Sequence, residues 1–304
     1  MAAPVPAPAD PQSMEHQLER MSTALRSLSY EGTLVYVHGS RLETIRIVRR
    51  VENGQVHEVL ESLNGPVRVV EREEDRVICR LSDDRPIAVH GQGLDAELLR
   101  PKPVDLDKLA PHYVVHPLGE ARVAGRQTDV VGIIPRDQLR YGYRFYVDAE
   151  SGLPLKSDLM GGEAKPIEQI IFTSLTLLPG QTPRPATQAA TAADVSPAAP
   201  VRSDTGPWRF AGMPPGFHLV LVDRPAGAAE DSTEHYVLSD GLASVSIYIE
   251  RDVEDGLQGG SRIGAVHAVG GRIAGHQVTV VGEVPAATVE QVLAGIERRE
   301  PVTE

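Results

Sequence analysis

His112 and His116 stand four residues apart, the spacing that on one helical face aims two imidazoles at a metal ion. Pro111 and Pro117 flank them and Tyr113-Val114-Val115 between them is strand-like, so the helix that this geometry needs is not expected, and neither is a metal site. Asp83-Asp84 and Glu73-Glu74 are paired carboxylates in turn-like, solvated settings. Acid–base work would need burial to move their pKa values apart. His90-Gly91-Gln92-Gly93 has the outline of an oxyanion loop, but no G-x-S-x-G elbow accompanies it and the glycines read as a turn. The phosphate loop G-x-x-x-x-G-K-[ST], a G-x-G-x-x-G after a strand and the H-E-x-x-H zinc motif are all missing. Cys79 is the single cysteine, which rules out an intramolecular disulfide and any CxxC site; its place in Val77-Ile78-Cys79 suits a buried thiol. An esterase would need a nucleophile and a base that these residues do not supply. The reading is of a protein that binds, with no catalytic residue, cofactor or metal.

Rings are the better lead. Arg122–Met160 reads as strand, turn, strand, turn, strand, with Tyr141, Tyr143 and Phe145 alternating with Gly142, Arg144 and Tyr146. Residues two apart share a face, so the three rings are expected to line one side of a sheet as the back wall of a lipid-sized groove. Asp148-Ala149-Glu150-Ser151-Gly152 supplies turn chemistry before the return strand at Leu153-Pro154-Leu155-Lys156. From the residues alone, an open groove and a core filled by a helix are equally supported.

The elements that must position these rings follow from periodicity. Ser13–Leu28 carries Met14, Leu18, Met21, Leu25 and Leu28 at spacings of three and four, one face of an amphipathic helix with Ser13 as N-cap. After Gly32 the period becomes two, with Leu34, Tyr36 and His38 on one face and Thr33, Val35 and Val37 on the other. Both asparagines of the chain precede glycine, at Asn53-Gly54 and Asn64-Gly65, and mark hairpins between strands at Leu42–Val51, Gln55–Ser62 and Pro66–Arg72. Arg76–Leu81 and Ile87–His90 continue an antiparallel meander, and Pro166–Leu177 completes it. Gly91–Tyr113, with a short amphipathic piece at Asp105–Ala110, is an excursion that could cap the sheet.

At 304 residues two domains are expected: 13–178, a Pro/Ala-rich linker over 179–207, and a smaller α+β unit over 208–304. In the last, Trp208–Leu221, Glu234–Glu250 and Ile263–Val284 read as strands, Asp240-Gly241 as a hairpin turn and Ala286–Arg298 as a closing helix. Arg122–Pro135 and Arg272–Pro285 share 8 of 14 residues, which is best explained by two tight hairpins turning at Gly125 and Gly275. A net charge of −12, from 42 acidic and 30 basic residues, opposes nucleic-acid binding. No run approaches the ~18 apolar residues of a membrane span. The start, MAAPVPAPADPQ, lacks a charged region followed by an apolar one and suits a secreted protein whose signal peptide has been removed.

Tyr30-Glu-Gly-Thr-Leu-Val-Tyr36, Arg122-Val-Ala-Gly-Arg126, Pro135-Arg-Asp-Gln-Leu-Arg-Tyr-Gly142 and Ser151-Gly-Leu-Pro-Leu-Lys156 resemble the MucB/RseB family of periplasmic negative regulators of an envelope-stress sigma factor. Met213-Pro-Pro-Gly-Phe217, Ser239-Asp-Gly-Leu-Ala243 and Val278-Thr-Val-Val-Gly-Glu-Val-Pro285 extend the resemblance past the linker. It implies a mainly β, α+β fold: a large antiparallel half-barrel like that of the lipoprotein carriers LolA and LolB, plus the smaller domain. It also implies a periplasmic location and a partner, the periplasmic part of an RseA/MucA-type anti-sigma factor, which the family shields from proteolysis until lipid signals such as lipopolysaccharide or acylated lipoprotein release it. On this reading acyl chains occupy a groove formed by Leu34, Tyr36, Ile45, Ile47, Tyr141, Tyr143 and Phe145, and Trp208, Phe210, Phe217, Tyr236 and Tyr248 serve the partner. A homo-oligomer is compatible with it, and a LolA/LolB-type lipid carrier is the alternative.

Overall fold

The computed structural model describes residues 11–52, 55–65, 68–73, 76–81, 86–90, 109–162, 165–179, 206–223, 233–251 and 256–299. The described residues fall into two compact units. The first is drawn from Met1–Leu106, Val114–Ile134 and Gly142–Thr187, and the second from Asp107–Tyr113, Pro135–Tyr141 and Gln188–Glu304. The linker 179–207, apart from residues 179, 206 and 207, the excursion over 91–108, Asp83-Asp84, Asn53-Gly54 and the side chains of Ser13, Glu73-Glu74 and Cys79 lie outside the described residues.

The first unit opens with helix α1 (Pro11–Ser27). Met14, Leu18, Met21, Leu25 and Leu28 are buried, as their spacing requires. Eleven strands follow: β1 (Tyr30–His38), β2 (Arg41–Glu52), β3 (Gln55–Ser62), β4 (Arg68–Glu73), β5 (Arg76–Leu81), β6 (Pro86–His90), β7 (Tyr113–Val123), β8 (Arg126–Pro135), β9 (Gly142–Asp148), β10 (Pro154–Met160) and β11 (Pro166–Leu177). They form one sheet in the order β6-β5-β4-β3-β2-β1-β11-β10-β9-β8-β7. Every neighbour in it except β1 and β11 is also a neighbour in sequence, the meander that the regular turn spacing predicts. β11 comes back to pair with β1, Tyr30 opposite Leu177 and Tyr36 opposite Ile170, with a register shift at Thr33/Leu34.

Local chemistry sets the turns. Gly65 has φ +79, while Asn64 accepts from Thr44 N at 2.6 Å and donates to Leu42 O at 3.0 Å. Ala124 and Gly125 (φ 47 and 77) join β7 to β8, and both central residues of that two-residue turn are left-handed.

The second unit contains β12 (Trp208–Phe210), β13 (His218–Asp223), β14 (Glu234–Ser239), β15 (Ser244–Arg251), β16 (Gly259–Ile263), β17 (Val266–Ile273), β18 (His276–Gly282), α2 (Ala286–Ala294) and β19 (Ile296–Arg298). Six of the strands form a sheet in the order β13-β14-β15-β18-β17-β16, and β12 pairs with β19. Ala274 and Gly275 (φ 49 and 80) join β17 to β18 through the same turn as the β7–β8 hairpin, which accounts for the repeated sequence. The closing helix is shorter than Ala286–Arg298. At Gly295 a Cβ would lie 1.7 Å from Ala211 O, and Ala211 N donates to Gly295 O at 2.7 Å. This close approach stops the helix and turns Ile296–Arg298 into a strand against β12.

Candidate binding face

Directly opposed residues of an antiparallel pair point to the same side of a sheet, so the register traces a face across sequence-distant strands. Tyr36 opposes Ile170, Ile170 opposes Ser157, Ser157 opposes Phe145 and Phe145 opposes Val131. One row therefore runs from β1 through β11, β10 and β9 to β8. The next row is His38, Glu168, Leu159, Tyr143 and Ile133. On the other side of Tyr36, Leu34 opposes both Phe172 and Ile45, and Gly32 opposes Ile47. Six of the seven predicted groove residues thus share one face. Tyr36 and Phe145, 109 positions apart in the chain, sit three strands apart, about 14 Å at ~4.8 Å per strand.

The face has a closed end and a half-open one. Arg49, opposite Tyr30, donates to Leu25 O at 2.5 Å, which places the C-terminus of α1 on this side. Arg49 also pairs with Glu58 at 3.0 Å, both buried. Burial, then the charge of Glu58, pushes the Tyr30 hydroxyl pKa up, with Arg49 opposing. Arg20, farther back along α1, donates to Ala149 O at 2.9 Å in the β9–β10 turn. Beside these anchors Leu34 (2% exposed) and Ile47 (0%) are core, with Tyr30 edge-on to Phe172 at 5.9 Å. These two predicted groove residues are thus sealed among core side chains.

Tyr36, Ile45, Tyr143 and Phe145 are half-buried. Tyr36 donates to Glu168 at 2.6 Å, and Tyr143 stacks on Phe145 with centroids 5.7 Å apart and planes within 2°. Tyr141 departs from the expected alternation. It precedes β9, is buried, belongs to the second unit and has its hydroxyl 3.4 Å from His267 Nδ1.

Sequence reasoning missed Ile170, Leu159, Val131 and the carboxylate of Glu168, all on the same rows. The stretch Pro166–Leu177 shows Ile167, Ile171 and Leu175 as an apolar series, but the register shift beside Thr33/Leu34 sets Ile170 and Phe172 into the face.

The turn bordering β9 is fixed by charge. Arg126 holds Asp148 with two 2.9 Å bonds, and Ser151 donates to the same carboxylate from N (2.8 Å) and Oγ (2.6 Å). Burial alone would raise the Asp148 pKa; the bonds from Arg126 and Ser151 and the arginine charge together lower it below the ordinary value. Gly152 (φ 77) follows, its missing Cβ leaving room for Arg20 O at 3.1 Å.

In the second unit the predicted partner residues divide. Trp208, Phe217 and Tyr236 are buried in the core cluster with Leu238, Val245, Ile247 and Val280, where these rings hold the unit together. Phe210 and Tyr248 are half-buried; Phe210 lies 5.0 Å from the Tyr236 ring and Tyr248 stacks on His235 at 4.5 Å. Burial lowers the His235 pKa, against the charge of Asp223. His112 lies in a turn and His116 in β7, and no cluster of three or more His, Cys, Asp or Glu able to hold a metal occurs among the described residues. No described helix is long and apolar enough to cross a membrane.

A mainly β protein of two units, one a large antiparallel sheet with a helix on a ring-bearing face and the other a small α+β unit, is the class these features define. The chain belongs to the MucB/RseB family: residues 13–197 match the MucB/RseB N-terminal domain and residues 202–297 the MucB/RseB C-terminal domain. It is 34% identical to the sigma factor AlgU regulatory protein MucB of Pseudomonas aeruginosa, over 97% of this chain and 93% of that protein. It is 26% identical to the sigma-E factor regulatory protein RseB of Escherichia coli K12, over 92% and 89%. The solved MucA/MucB complex of P. aeruginosa superposes with a TM-score of 0.70 at 31% identity, covering 95% of this chain and 100% of the matched one. MucB in complex with MucA(peri) gives 0.68 at 31% identity over the same shares.

Proposed function

We propose that this protein is a periplasmic regulator that binds the periplasmic segment of an RseA/MucA-type anti-sigma factor, shields it from proteolysis and lets go when lipid occupies the ring-bearing sheet face. The observation that carries the reading is the full-length likeness to MucB, a protein solved in complex with MucA(peri). The lipid half draws support from Tyr36, Ile45, Tyr143 and Phe145, which share one side of the first sheet and are half-buried there. Release is a population shift: a lipid weakens partner binding only by favouring a state with lower affinity for the partner. The partner contact is assigned to the second unit, with Phe210 and Tyr248 as its accessible rings and Trp208, Phe217 and Tyr236 as framework.

The test is calorimetric titration of the full chain with the anti-sigma periplasmic segment, with and without lipopolysaccharide fragments. Binding that weakens as the fragments are added is expected. Absence of binding sinks the partner assignment, and binding indifferent to lipid sinks the release mechanism. Lipid transfer between vesicles, with no affinity for the segment, would instead make the protein a carrier.

A further inference from the structure

The second unit includes two short stretches, Asp107–Tyr113 and Pro135–Tyr141, that the chain supplies well before the rest of that unit at Gln188–Glu304. Arg140, in the second of them, has a fully buried side chain (0% exposed) and three acceptors. Its Nη1 donates to Asp240 at 2.6 Å, its Nη2 to Pro215 O at 2.6 Å and its Nε to Asp137 at 3.1 Å. The guanidinium also lies over the rings of Tyr113 (5.4 Å) and Phe217 (5.1 Å). Asp240, equally buried, takes a further 2.8 Å bond from the Tyr113 hydroxyl and caps the N–H groups of Leu242 and Ala243. Next to Pro215, Gly216 (φ +82) runs so close to His112 that a Cβ would sit 2.2 Å from its Nε2.

One cation thus ties together the loop 212–216, the turn 240–242 and the two early stretches. The sheet behind them has its own adhesive: Val245, Ile247, Val278 and Val280 are all at 0% exposure and come from β15 and β18 alone.

We propose that Arg140 is a clasp, and that the loop 212–216 and the turn 240–242 open together as one local unit when its pair with Asp240 is broken, while the six-stranded sheet and the Phe217 ring in its core stay folded. The physical ground is that a buried carboxylate deprived of its cation is strongly destabilised where it lies, so the segment carrying it opens to water rather than remaining packed.

Native-state hydrogen exchange on the full chain tests this. In Arg140→Met, exchange of the hydrogen-bonded amides of Phe217, Asp240, Gly241, Leu242 and Ala243 should accelerate about a hundredfold or more, with β15 and β18 amides unchanged. Arg140→Lys, which keeps a charge beside Asp240 and loses the three-way fork, should accelerate the same amides less. Asp240→Asn, which removes the charge from the other side, should accelerate the same amides. Exchange that is unchanged in the loops, or that accelerates equally throughout the second unit, overturns the proposal.

Discussion

The rings of Tyr143 and Phe145 lie parallel, 5.7 Å apart, on adjoining rows of the first sheet. Both are half-buried, whereas Ile47 on the same face is sealed. Truncation should separate the two environments. Phe145→Ala and Tyr143→Ala should each weaken binding of a fluorescent fatty acid about tenfold, roughly one lost ring contact. Ile47→Ala should cost about 2–5 kcal/mol of stability through the cavity it leaves. Fluorescence titration beside urea unfolding checks both, and unfolding of the ring variants would reassign the rings to the core.

Arg49 and Glu58 form a buried pair at the closed end of the face, and Arg49 also satisfies Leu25 O at the end of α1. Removing the cation alone, as in Arg49→Met, leaves a buried carboxylate and should destabilise the first unit by about 3–5 kcal/mol. Removing both charges, with Arg49→Met and Glu58→Leu together, should recover most of that loss. A double-mutant cycle in urea supplies the measurement; additive losses would show that the pair is not coupled.

Asp148 gives the first unit a defined response to acid. Its folded pKa is depressed, so the stability it contributes is fully present above its ordinary unfolded value of about 3.9 and is lost as pH falls through the lower folded value. Asp148→Asn should therefore narrow its stability deficit relative to the parent chain below about pH 4 and hold it constant from about pH 5 to 8. Thermal melts across that range check the sign; a deficit that widens in acid would contradict it.

Much of the first sheet is legible because its information is local. The Asn-Gly turns and the meander they open predict Gln55–Ser62 and Pro166–Leu177 with the bounds the structure gives, and Leu42–Val51 within a residue at each end. Asn64-Gly65 names its own turn through φ and side-chain bonds. The candidate face is less legible. Tyr36 meets Ile170 only because β11 returns to β1, and no local pattern announces which pair of distant strands will close. Tyr141 reads as the first of three alternating rings, but tertiary packing draws it out of the strand. Trp208, Phe217 and Tyr236 show why ring composition cannot separate a partner surface from a core: large rings serve both, and here a small unit buries them. The end of α2 was equally hidden, since Val289, Val292 and Ile296 keep helical spacing through the glycine where the backbone of Ala211 stops the helix.

The repeated Ala-Gly turns offer a matched pair for measuring backbone strain. Gly125 and Gly275 have φ of 77 and 80, each follows an alanine with φ of 47 or 49, and neither has an atom within 4 Å of where a Cβ would stand. Substitution by alanine therefore meets no steric neighbour, and its cost is the left-handed backbone, about 1–2 kcal/mol, partly offset by about 0.4–1 kcal/mol from the stiffer unfolded chain. Because the two hairpins share geometry although their strands lie in different sheets, Gly125→Ala and Gly275→Ala should each destabilise their own unit by about 1 kcal/mol and by the same amount within error. Urea unfolding followed by a probe in each unit measures the two costs. A several-fold difference between them would mean that the surrounding strands, and not the shared turn, set the energetics of these hairpins.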